Sequence, residues 1–448
     1  MSRSAPVSNL RDAHQRASAA SRKVGVLAGG GSLPLVVAES VAARGETVHI
    51  VAIRGAANQE IARFPHTWVD LGQIGRIVAT LRGEGVTDLV IAGTVRRPDL
   101  WKVRPDAGFF RSLPHVLGLL AGGDDSVLSR VVRFFEANGF TVRGAHEVAS
   151  DLLAPPGLLG RMGLSAQDRS DASVGFAVRE ALGPLDAGQA VVVANGTVVA
   201  IEGAEGTDAM LERVTRLRRN GAGMRGVLAK GPKPGQELRV DMPAIGPRTV
   251  ERAAGAGLAG IAVEAGGLLV LGREEAVRGA DAAGIALEGL PRSVALAATP
   301  DAAPLTSRQG RLMSRRSPGR RDRRDLDIGL GVVDRLAPFR TGAAVVVSRA
   351  YILAVAAQEA PAAMLERVGA LRQWGARGKR RVGVLVCRAD QPADAAQVRE
   401  ICAQATRQGL AGIAVTGAPY VMDACEDAWR GAGVGDLFLA LFRHSEEN

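Results

Sequence analysis

Residues Gly188–Arg218 read GQAVVVANGTVVAIEGAEGTDAMLERVTRLR, and residues Gly342–Arg372 read GAAVVVSRAYILAVAAQEAPAAMLERVGALR. About half the positions are identical, chiefly the apolar ones that strands and helices bury. Each copy reads as a hairpin followed by a helix, with Asn195-Gly196 as the turn of the first. GLAGIAV at Gly257 returns at Gly409, and Asp171–Leu185 has a fainter echo over Asp325–Phe339. An α/β module is therefore written twice.

Polar positions fare differently. Glu202 becomes Ala356, Thr207 becomes Pro361 and Asp208 becomes Ala362. The loop KGPKPGQELRVDMPAIGP, from Lys230, gives way to VCRADQPADA, which has no lysine. Only Asp390, in Asp-Gln-Pro, mimics Asp241, in Asp-Met-Pro. Had Glu202, Asp208, Lys230 and Lys233 served folding alone, the second copy would need them too. The first copy is read as the one that keeps chemistry and the second as a degenerate repeat, so truncation after about residue 292 is expected to preserve activity.

Lys230 and Lys233 beside the lone carboxylate of Asp241, all on turn-forming residues, suit phosphate oxygens and a divalent cation. The plainer alternative is a solvated loop in which Asp241 satisfies local backbone amides. Glu202, Glu205 and Asp208 fall between a strand end and a helix start, where ligands collect in α/β folds. Asp208 could equally cap that helix and Glu205 answer its dipole.

Upstream, KVGVLAG, VHIVAI and DLVIAG read as short buried strands alternating with helices, which predicts parallel βαβ units over residues 23–155. Gly29, Gly30, Gly31 and Ser32 form a strand-to-helix turn that could aim amides at an anion. The dinucleotide fingerprint is broken by Pro34, and no acid ends the second strand, so nicotinamide binding is not expected. Gln73 follows a short strand, and Asp124 opens a helix as either an N-cap or a ligand contact. The expected fold is α/β throughout: a basic tail over 1–22, a Rossmann-like nucleotide-facing domain at 23–155 and a catalytic α/β domain at 171–291. An Arg/Pro/Ser linker over 292–324, solvated or in contact with anionic lipid, would precede the degenerate copy at 325–442.

The 448 residues carry a net charge of +10, which favours anionic partners, while only 4% aromatics argue against base stacking and nucleic acid. Cys387, Cys402 and Cys425 lack metal-ligand spacing and read as reduced cytosolic thiols. No apolar run reaches membrane-spanning length, and the first 22 residues lack the apolar segment of a secretory signal.

The motifs AGGGSLP, GDD at Gly123, AHEV at Ala145, DLLAP at Asp151, GQAVVV, EGAEGTDAML, KGPKPGQELRVDMPAIGP and GLAGIAVEAG occur in order between Val24 and Gly289. In these the chain resembles the LpxI family, the UDP-2,3-diacylglucosamine pyrophosphatases of lipid A synthesis. The resemblance implies cleavage to UMP and 2,3-diacylglucosamine 1-phosphate, with Mg²⁺ or another divalent cation such as Mn²⁺ and with water attacking the β-phosphate. It implies two domains that clasp the substrate and identifies Asp241, in the D-[LM]-P-x-[IV]-G-P motif, as the critical acid. On this footing Asp241 and Lys233 are expected to be catalytic, and Asp241, Glu205 and Asp208 to hold the metal. Gly29, Gly30, Gly31, Ser32, Gln73, Asp124, Gln189, Thr207 and Lys230 are expected to contact substrate. The lipid partner implies a cytoplasmic protein peripheral on the inner face of the inner membrane, and a homo-oligomer is allowed for. The C-terminal copy lies outside the family pattern.

Two other classes compete: a nucleotide-sugar oxidoreductase of doubly wound fold, and a non-catalytic nucleotide-lipid binding protein. A metallophosphoesterase is disfavoured, because Asp12 and His14 have no accompanying Gly-Asn-His.

Overall fold

The computed structural model describes residues 23–95, 124–219, 225–293, 308–342, 344–371, 381–389, 394–418, 421–423, 426, 428–429 and 436–444. Asp390, Cys425, Asp12 and His14 lie outside them. The chain divides into two units.

The first unit is a five-stranded parallel sheet of β1 (Lys23–Ala28), β2 (Thr47–Ile53), β3 (His66–Val69), β4 (Asp88–Ala92) and β5 (Thr141–Arg143), in the order β3-β2-β1-β4-β5. Helices α1 (Leu33–Ala43), α2 (Ile74–Gly83), α3 (Asp124–Ala137) and the short α4 (Ala145–Val148) accompany it. Both faces are covered, which explains the nearly uninterrupted apolar strands. Val24, Val26, Ala28, Val90 and Ala92 pack with Val37 and Val41 of α1, whereas Leu27, Val51, Ile53 and Leu89 pack with Ile77, Leu81 and Phe135.

This unit also takes two later segments, Gln236–Ala244 and Leu269–Leu271, which sequence reading assigned to the catalytic domain. The reason is packing: Val240 rests on one apolar cluster of the first sheet, and Met242, Ala244, Leu269 and Leu271 rest on the other.

The second unit holds two six-stranded sheets built on one plan. In the first, β6 (Gly157–Leu158), α5 (Ala166–Leu182), β7 (Ala190–Ala194), β8 (Thr197–Ile201), α6 (Gly206–Arg219) and β9 (Val227–Lys230) come in turn. Helix α7 (Pro247–Gly255), β11 (Gly260–Glu264), α8 (Arg273–Ala283) and β13 (Ala286–Leu290) follow, while the short strands β10 (Ala244–Ile245) and β12 (Leu269–Val270) pair as a separate two-stranded sheet. The sheet order is β6-β13-β11-β9-β7-β8.

The second sheet uses β14 (Arg308–Leu312), α9 (Arg320–Leu336), β15 (Ala344–Ser348), β16 (Tyr351–Ala356), α10 (Pro361–Leu371), β17 (Val384–Ala389), α11 (Ala395–Arg407), β18 (Gly412–Gly417) and β19 (Phe438–His444). Its order, β14-β19-β18-β17-β15-β16, repeats that of the first. Strand directions agree as well: three inner strands are parallel, and both ends are antiparallel. Even the hairpin irregularity recurs, between Val192 and Val193 and again between Val346 and Val347.

Each hairpin turn is held by a buried aspartate. Asp171 accepts from the amides of Asn195 (2.8 Å) and Gly196 (2.7 Å), and Asp325 accepts from those of Arg349 (2.9 Å) and Ala350 (2.6 Å). Both turns need left-handed backbone, which Asn-Gly adopts readily and Ala350, at φ 67°, does not. Asp325 offsets that strain.

Two expectations change here. The run Arg320–Arg324 opens helix α9, whose first turn is closed by Asp322 accepting from the Gly319 amide at 2.9 Å, and β14 lies inside the expected linker. The module thus begins earlier than residue 325. Moreover, α5 and α9 pack together, and one apolar cluster draws Val178, Leu182, Val193 and Ile201 from the first copy and Leu330, Val333, Ile352 and Phe438 from the second. Truncation near residue 292 would expose that cluster, so it no longer predicts an intact enzyme.

Candidate functional site

Lys230 ends β9 in register with Ala190 on one side and Val263 on the other, so its side chain leaves the sheet at a strand terminus. It is buried, and its ammonium donates to Thr207 Oγ1 at 2.9 Å, inside the first turn of α6. Thr207 in turn donates to Glu202. Burial pushes the Glu202 carboxyl above its ordinary range, while the Lys230 charge and the Thr207 hydrogen bond pull it back. Lys233 forms an ion pair with Asp186. Gln189 contributes its carbonyl to the Gly231 amide at 3.2 Å, pinning the start of the lysine loop to β7.

Beneath this loop lies a buried ion pair that sequence reading missed. Arg179 of α5 meets Glu264 of β11 at 2.5 Å, with side chains 1% and 8% exposed. A Cβ on Gly231 would lie 1.9 Å from Arg179 Nη1, so the loop can run over the guanidinium only as glycine. The corresponding positions of the second copy are Val333 and Thr416, and that difference was the available signal.

In the other unit, Asp241 sits between the two packed residues Val240 and Met242. Gln236 Nε2 donates to Asp241 Oδ2 at 2.5 Å, and the Asp241 amide donates to the Glu237 carbonyl at 3.0 Å. Arg239 braces the segment through Glu237 and Glu136, each at 2.8 Å.

Several expected ligands are otherwise engaged. Glu205 is buried between Arg213 (2.8 Å) and Arg367 (3.1 Å), and it persists in the second copy as Glu359. Asp208 faces Arg248 at 2.8 Å and Arg252 at 3.6 Å. Both carboxylates are thus satisfied by guanidinium groups, and among the described residues no three His, Cys, Asp or Glu side chains cluster to hold a metal. Asp241 alone still suits Mg²⁺, which needs one or two carboxylates and takes its remaining oxygens from phosphate and water.

In the glycine loop, the Gly29 amide donates to the Ala92 carbonyl (2.8 Å) and that of Gly30 to the Thr94 carbonyl (2.7 Å). These two amides are therefore not directed at an anion. Their glycines serve close approach, since a Cβ on Gly29 would lie 2.7 Å from the Thr94 carbonyl oxygen. Gly31, at φ 91°, and Ser32, the N-cap of α1, follow. Gln73 Oε1 accepts from the Asp70 amide at 3.1 Å, closing a turn before α2. Asp124 is the first residue of α3.

Similarity to known proteins covers both units. Residues 23–152 match the LpxI N-terminal domain, and both copies, at 155–288 and 309–416, match the LpxI C-terminal domain, so the second copy falls within the family pattern and not outside it as the sequence suggested. The UDP-2,3-diacylglucosamine pyrophosphatase LpxI of Caulobacter vibrioides is 42% identical over 273 residues, spanning 60% of this chain and 98% of that relative. By both matches, this chain belongs to the LpxI family.

Proposed function

We propose that this protein hydrolyses the pyrophosphate bond of UDP-2,3-diacylglucosamine, releasing UMP and 2,3-diacylglucosamine 1-phosphate for lipid A synthesis. The observation that carries this reading is the linked set Glu202, Thr207 and Lys230. It is present in the first copy and replaced wholesale by Ala356, Pro361 and Cys387 in the second.

A diphosphate presents its negative charge to whatever cation is already stripped of water. Lys230 is such a cation: burial removes its hydration, and Thr207 fixes its direction, so its attraction for phosphate oxygen is stronger than that of a surface lysine. Lys233, oriented by Asp186, supplies a second positive charge. Asp241, its carboxylate oriented by Gln236, is the residue that would hold a divalent cation. When bound, that ion neutralises phosphate charge and makes water more acidic. Glu205 and Asp208 are left out of the metal set because arginines hold them.

No helix among the described residues is long and apolar enough to cross a membrane. The acylated substrate brings the enzyme to the inner face of the inner membrane as a peripheral, cytoplasmic protein.

The test is a thin-layer assay of the purified full chain on UDP-diacylglucosamine. Wild type is expected to form both products, to stop in EDTA and to recover with Mg²⁺ or Mn²⁺. Asp241→Ala is expected to lose about 10³-fold in turnover while still binding substrate. Near-normal turnover in that variant would refute the assignment, and wild-type binding without turnover would favour a nucleotide-lipid binding protein.

A further inference from the structure

The segment from Glu202 to Thr207 carries two members of the linked set, yet much of what holds it comes from the second copy. The Ala204 amide donates to the Leu353 carbonyl of β16 at 3.1 Å. Glu205 Oε2 accepts from the Gly203 amide at 3.1 Å, closing the loop on itself, and Glu205 Oε1 reaches Arg367 of α10 at 3.1 Å. A Cβ on Gly203 would lie 2.8 Å from the Leu353 carbonyl oxygen, so the loop is pressed against β16 at a position where only glycine fits.

The contact is reciprocal. Arg213 meets Glu205 at 2.8 Å and Glu359 at 3.5 Å, while Arg367 meets Glu359 at 2.5 Å and Glu205 at 3.1 Å. Each arginine also donates to the carbonyl at the equivalent place in its own hairpin, Ile201 for Arg213 (3.0 Å) and Val355 for Arg367 (3.1 Å). Residues that pair with their own counterparts in this way form an isologous, two-fold interface. Both glutamates and both arginines were retained in the repeat, whereas Glu202, Thr207 and Lys230 were not. Glu359 and Arg367 thus survive although the chemistry of their copy is gone.

We infer that the second copy serves as a permanent partner for the first, and that Arg367 is a positioning residue for hydrolysis, acting through Glu205 on the loop that sets Thr207 and Lys230. This rests on the reading of the Lys230 cluster given above. Arg367 touches no substrate. It fixes the 202–207 loop, and a small displacement of that loop would move the Thr207 hydroxyl that orients the Lys230 ammonium.

The full chain is assayed on UDP-diacylglucosamine as wild type, Arg367→Ala, Arg367→Lys, Gly203→Ala and Lys230→Met, with thermal melting followed in parallel. Arg367→Ala is expected to lower kcat about 10- to 100-fold with KM nearly unchanged, at temperatures well below its melting transition. Arg367→Lys is expected to recover part of the loss. Gly203→Ala, which disturbs the same docking without removing a charge, is expected to lower kcat too and gives a result even if Arg367→Ala does not fold. A wild-type kcat in a folded Arg367→Ala or Gly203→Ala, with only the melting point lowered, would overturn the inference. In that case an inactive Lys230→Met leaves the cluster assignment standing, whereas an active Lys230→Met means the cluster reading itself has failed.

Discussion

The two six-stranded sheets share their strand order, their hairpin irregularity and the aspartate under each hairpin turn, yet they differ at the end of one strand. In the first, VLAK finishes β9 on a lysine tied to Thr207; in the second, VLVC starts β17 and places Cys387 at the equivalent register position. Cys387 is buried and its thiol is pushed up to about 12 by desolvation, so it is an inert core atom. The comparison separates two kinds of buried polar residue. Asp171, Glu205 and Arg213 recur because a turn and an interface need them, while Glu202, Lys230 and Arg179 are replaced by Ala356, Cys387 and Val333.

The hardest way to break this comparison is to write the second copy's residue into the first. Lys230→Cys is expected to cost about 10²- to 10³-fold in kcat, because a fixed, desolvated charge opposite phosphate is lost. Steady-state kinetics on a chain of unchanged melting behaviour checks this, and a loss below tenfold would put Lys230 among the architectural residues.

A second exchange concerns the buried ion pair. Arg179→Val should destabilise the chain by about 3–5 kcal/mol, since it leaves the buried Glu264 carboxylate without its cation, and Glu264→Thr by less, because Arg179 keeps Glu180 at 2.9 Å. The double variant, which reproduces Val333 and Thr416, should recover much of that stability without recovering activity. Urea denaturation of the three variants and wild type measures the coupling. Additive losses would mean that the pair does not act as a unit.

The smallest effect is a slope. Burial raises the Glu202 carboxyl above its ordinary value of 4.5, so the unfolded chain releases this proton first as pH rises. Folding stability from this group is therefore full below 4.5 and declines as pH climbs through the folded value. Glu202→Gln cannot ionise and should remove that decline. Denaturation midpoints taken from acid to neutral pH should diverge in favour of the variant, and parallel curves would show that Glu202 carries no charge penalty.

Much of this plan was legible in the chain itself. The valine runs, the Asn195-Gly196 turn and the duplicated MLERV helix gave strands, hairpin and repeat, because period and turn chemistry are local properties. The joining of Gln236–Ala244 to the first sheet was not legible, since it depends on where Val240 and Met242 find apolar surface. Arginine-rich text suggested a solvated linker at Arg320, but the apolar stripe from Leu326 to Leu336 made it the exposed start of a helix. Glu205 reads as a metal ligand from its place in the chain but is paired with Arg213 and Arg367, and its survival as Glu359 was already written in the two copies. At the glycine loop, composition suggested open amides, and only the path of the chain past Gly93 shows two of them closed.

Because α5 and α9 lie on the same polypeptide, the meeting of the two sheets is a unimolecular event. A tether of this kind sets an effective concentration on the order of millimolar, far above that of an enzyme in solution. Specific activity should therefore stay flat as the protein is diluted through the nanomolar range, where a pair of separate subunits would begin to come apart.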